Sequence, residues 1–410
     1  MYRTCLDALA RRALLRRLRT IDSAPGAEVD MDGHRVLLFS SNNYLDLAAH
    51  PRVTEAAINA IRRYGVGAGA SRLVSGSLRP HRELEERLAA FKREEAALVF
   101  PTGYQANLGL VPTLAEDRAV IYADRLCHAS LIDACRLCEA SLRVYRHRDH
   151  THLARLLRQG RPPRPALIVT DGVFSMDGDL APLPELCAAA EQAGAILVVD
   201  DAHGTGVMGT DGRGTVEHYG VESRAIVQMG TLSKALGGMG GFVAGSRDLI
   251  EYLVNRARSF MYTTALPPAM AAAAAAALDV IAAEPERRAR LWNLRDRLHE
   301  GVRRIGFNTL DSRSPIIPLL VGDADTALSL SDQLLAHGVY APAIRPPTVP
   351  AGTSRIRMSV TAGHRPEQID RVLEVLEKIV ASDGRLGESL RGGRGAGAEA
   401  RERKARPPSP

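Results

Sequence analysis

The chain has 410 residues, too many for one compact domain, so two are expected; 45% are hydrophobic and only 4% aromatic, which leaves Ala, Leu and Val to fill the core. The net charge of +6 sits at the ends, with six arginines against Asp7 in residues 1–20, seven basic against four acidic side chains in residues 381–410, and a body near −2. Basic patches interleaved with aromatics are missing, which argues against nucleic-acid binding; a basic rim suits a phosphorylated substrate or an acidic carrier protein.

Residues 1–20 read as an amphipathic helix, with Leu6, Leu9, Ala13 and Leu14 on one face and arginines on the other. Arg11, Arg12, Arg16 and Arg17 interrupt it with no apolar core behind them, so it is not a signal peptide. Residues 36–39 are a strand leading into Ser40-Ser41-Asn42-Asn43-Tyr44-Leu45, a turn dense in hydrogen-bonding side chains. Residues 65–72 form a small-residue loop without the glycine spacing of a nucleotide fingerprint.

From residue 82 to 272 strand and helix signals alternate, as in an α/β fold. Strand 97–100 turns at Gly103 into a helix whose first N–H groups are free for a phosphate, with Tyr104 able to stack on a ring or to sit in the core. Strand 119–122 is followed by His128. Cys135 and Cys138 have CxxC spacing but no second pair, so buried thiols in a reducing cytosol are expected rather than zinc. Strands 142–145 and 166–170 follow, the second ending in a polar loop that carries Ser175. The apolar run at 269–281 is an alanine helix too short to span a bilayer, so no membrane and a cytoplasmic location are expected. Beyond it lie a helical region to residue 305, strands at 316–321, 339–341 and 355–360, and a helix over 366–379. The expected division is an N-terminal helix and segment (1–45), a large cofactor-binding domain (46–280), a smaller α+β domain (281–382) and a disordered basic tail (383–410).

Two stretches point to chemistry. Strand 225–229 leads into Thr231-Leu232-Ser233-Lys234, a lysine among small residues with hydroxyls one and three positions before it. That pattern suits a Schiff base with an aldehyde cofactor whose phosphate the hydroxyls can reach. Strand 195–200 ends in Asp200, with His203 three residues on. A carboxylate there can pair with a protonated pyridine nitrogen, as pyridoxal 5′-phosphate enzymes need. Taken singly, Asp200 could be a helix cap, His203 a core histidine and Lys234 a solvated surface residue. Together they favour the cofactor, and Asn42, Tyr104, His128, Ser175, Asp200, His203 and Lys234 all follow strands.

With those residues in place, a resemblance can be named. Residues 231–237 resemble the lysine signature of the class-II pyridoxal-phosphate-dependent aminotransferase group. Residues 122–130, 172–179 and 199–206 look like its α-oxoamine synthases, and 343–353 are most similar to the 8-amino-7-oxononanoate synthases of biotin biosynthesis. The likeness covers about residues 5–380. It implies a fold-type-I homodimer, a mostly parallel central sheet in a large domain beside a smaller α+β domain, and an active site at the subunit interface. It further implies that L-alanine and a pimeloyl thioester, pimeloyl-CoA or pimeloyl-acyl carrier protein, give 8-amino-7-oxononanoate, carbon dioxide and the free thiol.

By that resemblance Lys234 carries the cofactor, Asp200 pairs with its pyridine nitrogen, and His203, Thr231 and Ser175 lie near its polar groups. Gly103 and Tyr104 cradle its phosphate, and Thr263 and Thr264 reach the phosphate of the neighbouring subunit. His128 lies over the ring and can bond substrate. Arg357 holds the amino-acid carboxylate, while Asn42, Arg16 and Thr348 match substrate-contacting positions. Two departures stand out: Asn43 and Asp46 replace the family's usual Asp and Gly, and Arg148 replaces an Asn. A sibling enzyme such as glycine C-acetyltransferase or a secondary-metabolite oxoamine synthase is the first rival, which residues 347–350 argue against in the former case. A binding module acting through the basic ends is the second.

Overall fold

The computed structural model describes residues 2–115, 119–160, 166–384 and 386. The expected tail at 383–410 lies almost wholly outside them. Two compact units share the chain: one of residues 1–44, 176–179 and 289 onward, and a larger one of 45–175 and 180–288.

The chain builds β1 (Glu28–Met31) and β2 (His34–Leu38) in the smaller unit, then seven strands in the larger. These are β3 (Ala96–Phe100), β4 (Val120–Asp124), β5 (Ser141–Tyr145), β6 (Ala166–Asp171), β7 (Ile196–Asp200), β8 (Ile226–Thr231) and β9 (Gly241–Gly245). It returns to the smaller unit for β10 (Ile316–Gly322), β11 (Val339–Tyr340), β12 (Ala343–Ile344) and β13 (Ser354–Ser359).

In the larger unit the seven strands form one sheet in the order β3-β9-β8-β7-β6-β4-β5. Only β9 runs against the rest, pairing antiparallel with both β3 and β8. Strands β4, β6 and β8 are buried at every residue, so both faces must be apolar and their sequences read as continuous Val/Ile runs. Helix Gly103–Leu114 packs Leu110 and Val111 on one face with Phe100 and Leu131; Leu183–Ala193 packs Leu186 on the other with Tyr122 and Tyr145. The parallel arrangement brings Asp124, Asp171, Asp200 and Thr231, the last residues of β4, β6, β7 and β8, to one edge. Asp171 and Asp200 are partners in register.

Strand β9 is absent from the sequence reading because glycines bound it and precede it. Those glycines are required: a Cβ on Gly241 would lie 2.5 Å from the Cα of Gly103, so β9 passes against the start of helix Gly103–Leu114. The alanine run forms helix Pro268–Ala283, whose Ala271, Ala274 and Ala277 are fully buried, allowing close packing on helix Pro51–Tyr64. No single described helix is long and apolar enough to cross a membrane.

The smaller unit holds two three-stranded sheets, β1-β2-β11 and β10-β13-β12. Its first helix corrects the sequence reading. It spans Tyr2–Arg11 rather than 20 residues and buries none of them, and Ala13 turns the chain with φ of 55°. Leu6 and Leu9 stay 46% and 39% exposed, so nothing among the described residues anchors an apolar face long enough to extend the helix.

Candidate active site

The four strand-end residues of the larger unit place the chemistry. Asp200 is buried, and its two oxygens accept from the Asn107 side-chain amide at 2.7 Å and the Ala202 N–H at 3.0 Å. The same Asn107 amide donates to Ser130 Oγ at 2.8 Å, and Ser130 Oγ lies 2.8 Å from His128 Nδ1. The His128 backbone N–H donates to Asp171 Oδ2 at 2.8 Å.

These groups act on one another electrostatically. Burial holds the His128 pKa below its usual value, and the positive charge of Lys234 lowers it further against the pull of Asp200. Burial and then the charge of Asp200 push Asp171 well above the carboxylate range, with Lys234 opposing. Lys234, Asp200, His128 and Asp171 therefore share one electrostatic site.

Around it, Thr231 Oγ1 donates to Gly240 O at 2.8 Å, accepts from the Ser233 N–H at 3.2 Å and meets Ser233 Oγ at 2.8 Å, pinning the loop that carries Lys234. Gly237 closes that loop at φ of 69°, where a Cβ would stand 2.4 Å from Ala48 N. His203 is buried in the turn after β7, and Ser175 is half-buried four residues past β6. Thr102 caps helix Gly103–Leu114 by accepting from the Gln105 N–H at 3.1 Å, so the remaining first-turn donors at Gly103 and Tyr104 suit an anion. Tyr104 is 43% exposed and gives its hydroxyl to Asp133. Thr263 and Thr264 line a cavity of about 530 Å³ with Ser71, Leu73, Val74 and Tyr262, and Gln105 Nε2, next to Tyr104, donates to Thr263 at 3.4 Å.

Asn42, Arg357, Arg16 and Thr348, expected to contact substrate, belong to the smaller unit. Arg357, on β13 and 6% exposed, donates to Asn42 Oδ1 at 3.1 Å and to the Tyr44 hydroxyl at 3.4 Å. The polar turn is bound to β13 and its continuation by Ser359 N–H to Phe39 O at 2.8 Å, Ser359 Oγ to Ser41 O at 2.8 Å and Ala362 N–H to Tyr44 O at 2.7 Å. Arg16 reaches Thr348 Oγ1 at 3.5 Å, and Arg345 beside it is buried and gives Nη1 to Ala13 O.

The departures differ in local fit. Asn43 donates through Nδ2 to Pro25 O at 3.2 Å, a bond that an ionised Asp could not make. Asp46 and Arg148 both stand in the left-handed region, at φ of 57°, the conformation that Gly and Asn adopt most easily. Cys135 and Cys138 are free thiols raised by burial to about 12 and about 11, far from thiolate chemistry at neutral pH.

Asn107, Ser130, Tyr44 and Arg345 carry no role in the sequence reading. The signal for Asn107 was available: a polar side chain four residues after Gly103, on the buried face of a helix otherwise rich in Leu, Val and Ala.

An amine on a small-residue loop, a buried carboxylate at a strand end and an anion-ready helix start are the donor set that an aldehyde-bearing pyridine phosphate requires, so the residues fit pyridoxal 5′-phosphate. The comparisons agree. Residues 34–376 match the aminotransferase class I and II family. The chain is 49% identical over 377 residues to an 8-amino-7-oxononanoate synthase of Geobacter sulfurreducens, covering 91% of this chain and 96% of that one. Among solved structures, serine palmitoyltransferase with PLP as an internal aldimine is 33% identical with a TM-score of 0.88, covering 94% and 97% of the two chains. An 8-amino-7-oxononanoate synthase from Francisella tularensis is 29% identical with a TM-score of 0.74, covering 84% and 98%. With fold, strand-end site and relatives in agreement, the chain belongs to the aminotransferase class I and II family and, within it, to the 8-amino-7-oxononanoate synthases, acyltransferases of the fold-type-I architecture that depend on pyridoxal 5′-phosphate.

Proposed function

We propose that the enzyme condenses L-alanine with a pimeloyl thioester of coenzyme A or acyl carrier protein, releasing carbon dioxide and the free thiol carrier, as the 8-amino-7-oxononanoate-forming step of biotin biosynthesis in the cytoplasm. The observation that carries this reading is the buried Asp200 carboxylate in one electrostatic site with Lys234 and His128. Support for this acyl chain comes from the 49% identity, over 91% of the chain, to a relative named 8-amino-7-oxononanoate synthase.

When bound, the cofactor supplies an aldehyde that captures amines and an electron sink for charge at the amino acid's α-carbon. In this reading Lys234 holds it covalently, Asp200 pairs with its pyridine nitrogen and His203, Ser175 and Thr231 lie along its polar edge. Gly103 and Tyr104 take the phosphate at the helix start. Lys234 Nζ, when uncharged and not bonded to the cofactor, would be the base placed to remove the α-proton of alanine, a positioned transfer worth ~10²–10⁴ in rate. Arg357, oriented by Asn42 and Tyr44, grips the alanine carboxylate as a charge-assisted fork. His128 bonds substrate oxygen. Arg16 and Thr348 contact the acyl substrate.

A homodimer completes the reading. Thr263 and Thr264 serve the neighbouring subunit's phosphate, and Leu73, Val74 and Tyr262 around them are 50%, 80% and 71% exposed, the kind of surface a second copy covers. The test is a matrix of alanine, glycine and serine against pimeloyl, acetyl and palmitoyl thioesters. Alanine with pimeloyl should give the highest kcat/KM; a preference for glycine with acetyl, or serine with palmitoyl, overturns the assignment. Complementation of a biotin-requiring strain lacking this step checks it in the cell.

A further inference from the structure

The Asn107 side chain sits 0% exposed between two partners that constrain it in opposite ways. Asp200 Oδ2, a carboxylate oxygen, can only accept, so Asn107 must present its amide nitrogen there at 2.7 Å. The second hydrogen of that nitrogen goes to Ser130 Oγ at 2.8 Å. The Asn107 carbonyl oxygen is left without any partner, so the pose is set by donation alone. Ser130, 1% exposed, has now accepted, and among the described residues its own hydroxyl proton has one acceptor in reach, His128 Nδ1 at 2.8 Å. The Ser130 backbone N–H also donates to Nδ1, at 3.3 Å. Nδ1 is thus an acceptor twice over and carries no proton.

We propose that Asn107 and Ser130 are positioning residues that lock His128 as a neutral imidazole with its proton on Nε2, making it a fixed hydrogen-bond donor to substrate oxygen and not a proton shuttle. Taking up a second proton would turn Nδ1 into a donor and leave the Ser130 hydroxyl proton and the Ser130 backbone N–H, both aimed at it, without their acceptor. Burial and Lys234 oppose that proton too, against Asp200 and Asp133. The proposal rests on the reading that His128 faces substrate, but the order of donation from Asp200 outward depends only on these contacts.

The test is ¹⁵N-histidine NMR of the cofactor-loaded enzyme, with the His128 signals assigned by their loss in His128→Phe. The expected wild-type pattern is pyridine-type Nδ1 and pyrrole-type Nε2, unchanged when alanine is added. Ser130→Ala removes the hydroxyl donor and should raise the Nδ1–H share relative to Nε2–H roughly fivefold, the worth of about one hydrogen bond. Ser130→Thr, which keeps the hydroxyl, should restore the wild-type ratio. Asn107→Ala should shift the ratio in the same direction, and should add nothing in the Ser130→Ala background, because it acts through Ser130. A protonated Nδ1 in the wild type, an unchanged ratio in Ser130→Ala, or additive effects of the two substitutions would each overturn the relay. None of these readouts uses turnover, so a wrong acyl substrate would leave this test standing.

Discussion

The two units gather their chemistry by different routes. In the larger one, Asp200, Thr231, His128 and Lys234 follow directly on strand ends, and a parallel sheet brings those ends together whatever the loops do. In the smaller one, the pair that would grip an amino acid, Asn42 and Arg357, is 315 residues apart, joined by backbone bonds between a polar turn and an antiparallel strand. The first arrangement tolerates change in its surroundings; the second depends on a tertiary docking that single substitutions can loosen. Cofactor capture should therefore track the larger unit, and amino-acid affinity the smaller.

The most severe expected break is in the larger unit. Lys234→Ala should lower turnover by at least about 10³-fold and abolish the yellow absorbance of lysine-bound cofactor, while thermal unfolding stays cooperative. A retained spectrum would dissolve the contrast between the units.

The next effect is on stability, in the smaller unit. His364 is 2% exposed, packs its ring 4.5 Å from Phe39 and accepts from the Thr361 N–H at 3.1 Å. Burial lowers its pKa from 6.5 to about 4, so the folded state disfavours the proton. Its contribution is complete above pH 6.5 and is lost as pH falls through about 4, by about 3 kcal/mol at most. Denaturant midpoints should fall over that range in the wild type, and His364→Gln should flatten the fall.

Arg357→Ala sharpens the comparison directly. The KM for alanine should rise about 10–100-fold, the worth of charge-assisted hydrogen bonds, with the cofactor spectrum unchanged. Alanine saturation at wild-type concentrations would remove Arg357 from its role. Asn43→Asp, the residue usual in the family, should destabilise by about 1 kcal/mol through the lost donor to Pro25 O, read as a small drop in Tm.

How much of this was legible in the sequence follows from the same contrast. The parallel strands announce themselves as Val/Ile runs ending in a polar residue, so Asp200 and Lys234 could be placed from local pattern alone. Strand β9 could not, because Gly241 and Gly245 are demanded by close packing and look like a loop. The first helix is shorter than its pattern suggests because amphipathic spacing continues past Arg11 although nothing among the described residues covers Leu6 and Leu9. Asn107 and Ser130 were visible as residues but not as a pair, since 23 positions separate them and only the helix-on-sheet packing makes them neighbours.

Borohydride reduction of the cofactor-loaded protein, followed by peptide mass spectrometry, goes straight to the centre of the account. A single peptide containing Lys234 should carry the reduced pyridoxal phosphate mass. No adduct, or one on another lysine, would contradict the site built here around Asp200.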